Sequence, residues 1–164
     1  MKRIPDDLLG AHVSTQGGVA EAPARGTVIG ATAIQVFTKT PNQWRESTLR
    51  DPDIAAFRSS LAGSGIRAVV SHDSYLINLA SPDEALREKS LAAFTSELVR
   101  CRALGIPWVV SHPGNYIDDR AAGARRVARP TGSRGCAPPR CLRPRGRWRT
   151  GTARNAARRA APNN

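Results

Sequence analysis

The chain has 164 residues and a formal net charge of +12. This length suits one ordinary domain, but a complete (β/α)₈ barrel typically needs about 250 residues. No run approaches the roughly 20 apolar residues of a membrane span, and the first residues contain no apolar signal core. We therefore expect a cytoplasmic protein without a membrane partner. Three cysteines at irregular spacing argue against a disulfide framework.

The net charge comes from the end of the chain. Residues 1–120 contain 13 Lys and Arg together with all 13 Asp and Glu, so they carry no net charge. Residues 121–164 contain the other 12 basic residues, which are all Arg, and no acidic residue. The sequence therefore predicts a domain over 1–120 and a separate Arg/Ala/Gly/Pro-rich tail over 121–164.

Short apolar runs alternate with longer amphipathic stretches through residues 1–120. Near-continuous apolar strands alternating with helices are typical of an α/β fold with a parallel sheet buried on both faces. In chain order, the predicted elements are a strand at Leu8–Val13, a helix at 18–29, a strand at Ala31–Phe37, a helix from Asp51 or Asp53 to Ala62, a strand at Ile66–Val70, a helix from Ser81 to Leu104 and a strand at Ile106–Val110.

The long third helix has the clearest boundaries. Ser81 has the position of an N-cap, Pro82 that of the first helical residue, and Glu84 completes a capping box three residues after the cap. Gly105 ends the helix.

All three histidines of the chain fall at or near predicted strand ends. Val69–His72 (VVSH) recurs as Val109–His112, 40 residues later, and His12 lies next to the end of the first apolar run. Ligands of parallel α/β folds bind at the carboxyl ends of the strands, and imidazole suits zinc and related divalent ions. One such histidine alone is more often a hydrogen-bonded structural residue, but three together favour a metal site.

Several neighbouring residues have two open interpretations. Asp73 either orients a histidine or is an exposed loop acid. Gly17 and Gly18 either let a phosphate approach the backbone or form a plain turn. Tyr75 either stacks on a base or packs against the protein.

The tail shows neither helical nor strand periodicity and contains too few apolar residues to form a core, so it is predicted to be disordered. Its arginines suit a nucleic-acid arm. Codons made only of G and C encode Arg, Ala, Gly and Pro, so out-of-frame translation of a GC-rich gene is the favoured explanation. The C-x₄-C pair of Cys136 and Cys141 has no partner pair and is not expected to bind zinc.

Four strings follow one another along residues 8–120. They are GAHVS at Gly10–Ser14 with Gly17 and Gly18 after it, VFTK at Val36–Lys39 with Gln43 and Trp44 after it, HDSYLINLA at His72–Ala80, and SHPG at Ser111–Gly114. Together they resemble the start of the endonuclease IV (deoxyribonuclease IV) family of zinc-dependent abasic-site endonucleases. HDSYLINLA is highly specific, and the order of the others strengthens the match.

The resemblance implies the front half of a TIM (β/α)₈ barrel with about four parallel strands and three helices. It implies a DNA repair enzyme that hydrolyses the phosphodiester bond 5′ of abasic sites with zinc-bound hydroxide, using three zinc ions in an intact member. His72 and His112 would be zinc ligands and His12 would lie near the metal. Tyr75, Gly17 and Gly18 would contact double-stranded DNA. No residue is assigned as catalytic, and the chain is expected to be a monomer.

The family's later ligands, which include Glu, Asp and His residues, have no counterpart after Arg120. We therefore expect a truncated or frameshifted chain with little activity. Two alternatives stay open: a fragment of a sugar isomerase or epimerase-like barrel, and a non-enzymatic basic protein that binds nucleic acid.

Overall fold

The computed structural model describes residues 7–45 and 47–128, which form an α/β fold. The strands are β1 (Gly10–His12), β2 (Ala33–Val36), β3 (Ala68–His72) and β4 (Trp108–Val110), and the helices are α1 (Ala22–Val28), α2 (Asp51–Ala62), α3 (Glu84–Leu104) and α4 (Arg120–Ala128), with a short 3₁₀ helix at Val19–Glu21 before α1. The predicted order of strands and helices is confirmed. A fourth helix, which the sequence interpretation lacked, follows β4.

The four strands form one parallel sheet in the order β1-β2-β3-β4. Its register aligns His12 with Gln35, Gln35 with Val70, and Val70 with Trp108. Parallel neighbours joined by helical crossovers, in sequential order, are the arrangement of a TIM barrel. The front-half barrel predicted from the sequence is therefore confirmed for the described residues.

The helices cover one face of this sheet. Side chains alternate along a strand, so Ile34, Val36 and Val69 share that face, where the helices bury them. Phe57 of α2 is fully buried against them, as the spacing of apolar residues in α2 predicts. Burial of such side chains at about 25 cal/mol per Å² of apolar area supplies the main stabilisation of the fold.

The opposite face of the sheet carries residues of the other alternate set. Trp108 is 52% exposed and Val110 is 40% exposed on this face. The expectation that both faces are buried is therefore wrong for the described residues, which supply helices to one face only. In a closed barrel this second face lines the interior.

The beginnings of two helices differ from the predicted ones. The N-cap of α3 is Asp83, whose carboxylate accepts a hydrogen bond from the Leu86 amide at 3.1 Å. Ser81 instead lies two residues earlier, where its hydroxyl accepts from the Asp83 amide at 3.1 Å. In α2 the N-cap is Arg50, and Asp53 is the third helical residue. Both helices therefore begin with a stabilising aspartate, which is Asp53 at the third position of α2 and Asp83 at the N-cap of α3. These positions differ from the predicted ones.

Residues 121–128 belong to helix α4, so the disorder predicted from Ala121 onward is wrong for these residues. Its start is stabilised by Asp119, whose carboxylate accepts from the Ala122 amide at 2.7 Å. Arg126 donates to the Ala80 carbonyl at 2.8 Å and pairs with the Asp118 carboxylate at 2.5 Å. The Asp119 cap before a run of Ala and Arg was a usable helix signal. The rest of the predicted tail, 129–164, lies outside the described residues.

None of the helices found in the described part of the chain is both long enough and apolar enough to cross a membrane.

Gly26→Ala tests the packing of α1 on the sheet. A Cβ at Gly26 would lie 2.5 Å from Cγ2 of Ile34 and 3.0 Å from Cδ1 of Ile66. Alanine is the better helix former, yet we expect overpacking to lower the free energy of unfolding by about 1–3 kcal/mol. Urea unfolding followed by circular dichroism measures it. Gly63→Ala is the control, because its Cβ would meet nothing closer than 3.6 Å; equal effects would contradict the prediction.

Arg126→Gln tests the anchor of α4. The hydrogen bonds from Arg126 lower the pKa of Asp118 from 3.8 to about 2. The stabilisation from this pair is therefore present above about pH 4 and is lost as the pH falls toward 2. In Arg126→Gln we expect the Asp118 pKa, measured by NMR titration of the carboxyl carbon, to return toward 3.8. Arg125→Gln is the control, because Arg125 lies near Asp119 instead; a shift in that variant would refute the assignment.

Candidate functional site

The three histidines lie together at the carboxyl ends of β1, β3 and β4. Ring centroids are 5.1 Å apart for His72 and His112, and 6.3 Å apart for His12 and His72. Side chains alternate along a strand, so His72 lies on the sheet face that points away from the helices. His12 pairs with Gln35 on the same face, and His112 follows Val110, the partner of His72, by two residues. The sequence prediction that three strand ends bring these imidazoles together is consistent with this geometry.

His72 is buried, and its ring orientation is fixed by the backbone. Its Nδ1 lies 2.8 Å from the carbonyl oxygen of Asp73. A carbonyl oxygen only accepts hydrogen bonds, so Nδ1 carries the proton and donates it. In the neutral ring the lone pair is then on Nε2. A hydrogen bond of this kind on the other ring nitrogen is typical of metal-ligating histidines.

Asp73 is one of the most buried polar residues, with 1% of its surface exposed. Its carboxylate accepts a short hydrogen bond from the Ser111 hydroxyl, and its Oδ1 lies 3.8 Å from His72 Nδ1. Burial raises the pKa of Asp73, while the hydrogen bond from Ser111 and the nearby histidine oppose the rise. Of the two interpretations of Asp73, the exposed loop acid is therefore wrong.

His112 and His12 are more exposed than His72. His12 packs against Phe37 with ring centroids 4.4 Å apart. Burial lowers the pKa of His12, and the nearby His72 lowers it further, which favours the neutral imidazole.

The donor set fits part of a zinc site. Two imidazoles bound to one tetrahedral zinc through bonds of about 2.0–2.1 Å have ring centroids roughly 5 Å apart, which the separation of His72 and His112 matches. Among residues 7–45 and 47–128, however, no group of three or more His, Cys, Asp or Glu side chains is placed to hold a metal ion. The described residues therefore bring two imidazoles together, which is fewer side chains than a complete zinc site requires.

Tyr75 lies at the mouth of the histidine cluster. Its side chain is 61% exposed, and its ring makes edge contacts with His72 and Phe37 at centroid distances of 5.5 and 5.2 Å. Part of the ring thus packs on the protein, while more than half of the side chain remains accessible. Both interpretations of Tyr75, packing and an outer binding contact, are compatible with this placement.

An open cleft of about 440 Å³ lies beside His12, between the loops that follow β1 and β2. The β1 loop is held by Arg25 of α1, which donates to the Ser14 and Gln16 carbonyls at 2.7 Å each. The cleft is lined by His12, Val13, Ser14, Thr15, Gln16, Phe37, Lys39, Thr40 and Pro41.

Gly17 and Gly18 follow the cleft wall and do not line it. Their φ values of 87° and 125° require glycine, which accounts for the pair. They lead into the 3₁₀ helix, and α1 begins only at Ala22. The phosphate-binding arrangement, in which a glycine loop leads directly into an α-helix, is therefore not formed at this pair. Contact of Gly17 and Gly18 with DNA stays a prediction.

A buried polar network under the strand ends was missed by the sequence interpretation. Glu97 of α3 is fully buried, and the Thr38 hydroxyl lies 2.9 Å from each of its carboxylate oxygens. The Ser71 hydroxyl donates to Glu97 at 2.5 Å, and Arg100 donates to the Thr38 hydroxyl at 3.0 Å. The available signal was that Glu97, Arg100 and Cys101 lie on one face of α3, where charged residues interrupt an apolar stripe.

Comparison with known proteins identifies the family. Residues 27–134 match the family model described as a xylose isomerase-like TIM barrel. The chain belongs to this family. "Probable endonuclease 4" of Geotalea daltonii is 48% identical over 122 residues, which are 74% of this chain and 43% of that protein. "Probable endonuclease 4" of Chloroflexus aurantiacus is 48% identical over 120 residues, 73% of this chain and 42% of that protein.

Solved structures give the same result. Endonuclease IV from Thermus thermophilus matches with a TM-score of 0.63 and 35% identity, over 73% of this chain and 46% of that one. A D-psicose 3-epimerase matches with a TM-score of 0.53 and 20% identity, over 73% of this chain and 45% of that one, which shows the shared fold alone. The resemblance to endonuclease IV is confirmed for the N-terminal part, and the chain spans less than half the length of these relatives.

Glu97→Ala tests the buried network. Removing the carboxylate leaves the Thr38 and Ser71 hydroxyls without their acceptor, so we expect a loss of about 2 kcal/mol or more in the free energy of unfolding. Glu97→Gln keeps one oxygen acceptor and should lose less. Denaturant unfolding measures both, with Glu88→Ala, an exposed position of the same helix, as the control. Equal stability of Glu97→Ala and the control would show that the network contributes nothing.

Proposed function

We propose that this chain is the N-terminal part of a zinc-dependent DNA repair endonuclease that hydrolyses the phosphodiester bond 5′ of abasic sites. The observation that carries the proposal is the pair of imidazoles of His72 and His112. Their ring centroids lie 5.1 Å apart at the carboxyl ends of adjacent parallel strands. Relatives described as endonuclease 4 and a solved endonuclease IV support the reaction class.

His72 and His112 would hold zinc, and the Nδ1 hydrogen bond directs Nε2 of His72 to this task. Zinc at such a site supplies Lewis acidity toward phosphate oxygens and acidifies water at neutral pH. The neutral form of His12 adjoins this pair and contributes no positive charge that would repel a metal ion.

The exposed ring of Tyr75 would meet the duplex next to the metal site. An aromatic face gains about 1–3 kcal/mol from stacking on a base, which favours holding a duplex opened at a missing base. The turn at Gly17 and Gly18 directly follows the residues of the β1 loop that line the cleft, and a phosphate backbone lying along this loop would meet its main-chain amides. DNA containing an abasic site is therefore the proposed partner.

The chain also lacks what the reaction needs. No acidic residue occurs after Asp119, so carboxylates that would complete a cluster of three zinc ions are not available from 120–164. Two imidazoles fill only half of the coordination positions of one tetrahedral zinc ion. We therefore expect the 164-residue chain to cleave an abasic duplex little or not at all, with or without added zinc.

A chimera tests the assignment of the two ligands. It joins residues 1–120 of this chain to the remaining C-terminal part of the Geotalea daltonii relative. We expect chelator-sensitive cleavage of an abasic duplex, which His72→Ala or His112→Ala abolishes. Tyr75→Ala should raise KM for the abasic duplex more than it lowers kcat.

The controls separate chemistry from folding. Glu88→Ala, at an exposed position of α3, should retain the activity of the parent chimera. Circular dichroism checks that each histidine variant is folded. Folded His72→Ala or His112→Ala chimeras that cleave at the parent rate would refute the ligand assignment.

A further inference from the structure

His72 ends β3 and His112 follows β4 by two residues, so the two proposed zinc ligands need contacts that fix one relative to the other. Backbone pairing of β3 with β4 sets the strand register, and it continues past the strands, where the Asp73 amide donates to the Val110 carbonyl at 3.0 Å. Pairing of backbones does not fix side-chain rotation. A two-histidine site needs both rings held, because free rotation of either lowers metal affinity.

Asp73 contacts both histidine-bearing segments. Its carbonyl oxygen accepts from His72 Nδ1 at 2.8 Å, and its carboxylate accepts from the hydroxyl of Ser111, the residue before His112. The Asp73 side chain is 1% exposed, so this carboxylate is shielded from water that would compete for the Ser111 hydrogen bond. Both contacts come from one residue in the first turn after β3.

We propose that Asp73 is a positioning residue that holds His72 through its backbone carbonyl and the His112 segment through Ser111. The inference rests on the proposed function, since it concerns how the chain's own residues are arranged toward zinc. Asp73 is not assigned as a ligand: within the described residues it forms no group of three possible ligands with the histidines. Its carboxylate instead faces Ser111.

Zinc affinity and histidine NMR test the proposal in the full 164-residue chain. Cys136 and Cys141 are replaced by Ser in all variants, so that no thiolate of this pair can contribute to the measured zinc affinity. Competition with a chromophoric zinc indicator gives the Kd. The ring ¹⁵N signals of the three histidines report tautomers before zinc is added. We expect His72 to carry its proton on Nδ1 and to bind zinc through Nε2.

His72→Ala and His112→Ala are the first arm. Both are expected to remove the specific zinc affinity, and unchanged affinity in both would overturn the proposed function itself. The second arm addresses Asp73 alone. Asp73→Ala and Ser111→Ala should each weaken zinc binding about 10-fold or more, the usual effect of losing a group that orients a ligand. The double variant should lose no more than the larger single loss, because both remove one contact.

Conservative and control variants distinguish positioning from a structural effect. Asp73→Asn retains an oxygen acceptor for Ser111 and should keep most of the affinity. Asp83→Ala removes another carboxylate hydrogen bond, at the N-cap of α3, and should leave the Kd unchanged. If Asp73→Ala does not fold, Ser111→Ala and Asp73→Asn decide the matter.

Two results would overturn the inference while leaving the histidine ligands in place. Unchanged affinity in Asp73→Ala or, where that variant is unfolded, in Ser111→Ala would show that Asp73 does not position the site. A large loss in both Asp73→Ala and Asp73→Asn with wild-type affinity in Ser111→Ala would show that the carboxylate contacts the metal directly.

Discussion

The carboxylate of Glu97 lies between α3 and the ends of β2 and β3, where it is fully withdrawn from water. A buried carboxylate costs several kcal/mol unless hydrogen bonds satisfy it, and here the hydroxyls of Thr38 and Ser71 do so. Both hydroxyls must therefore reach the same point beneath the sheet. Phe37 precedes Thr38 and His72 follows Ser71. Because both hydroxyls contact the same carboxylate, the positions of Phe37 and His72 on the opposite face of the sheet are fixed relative to each other.

Local and periodic features of the sequence were sufficient for the architecture. Local signals predicted the apolar strands β2, β3 and β4 and the end of α3 at Gly105. Each signal involves only residues close together in the sequence, so it can be recognised without knowing the fold. The VVSH repeat was more informative, because the carboxyl ends of parallel neighbouring strands lie at the same edge of the sheet, although the register offsets the two copies by two residues and aligns His72 with Val110. The repeat therefore predicts that His72 and His112 lie at one edge of the sheet, and the structure adds that their rings are close together.

The interactions between distant residues could not be predicted in this way. The pairing of Asp73 with Ser111 joins residues 38 apart, and the Thr38–Glu97 contact joins residues 59 apart. No local pattern distinguishes a loop aspartate that turns inward from one that stays in water. Helix α4 was missed for a different reason: its composition matches the tail, and the first-turn contact of Asp119 decided the outcome.

The uncovered face of the sheet places an indole in an unusual position. Trp108 lies on β4 with its side chain half exposed, in line with Val70 and Gln35 across the sheet. Any polypeptide that completes a barrel over this face has to bury that ring. Indole emission shifts to shorter wavelength when the ring leaves water, so the fluorescence of Trp108 would change on barrel closure. In a variant that keeps Trp108 as its single tryptophan, with Trp44 and Trp148 replaced, the emission wavelength would report whether this face of the sheet is open or enclosed.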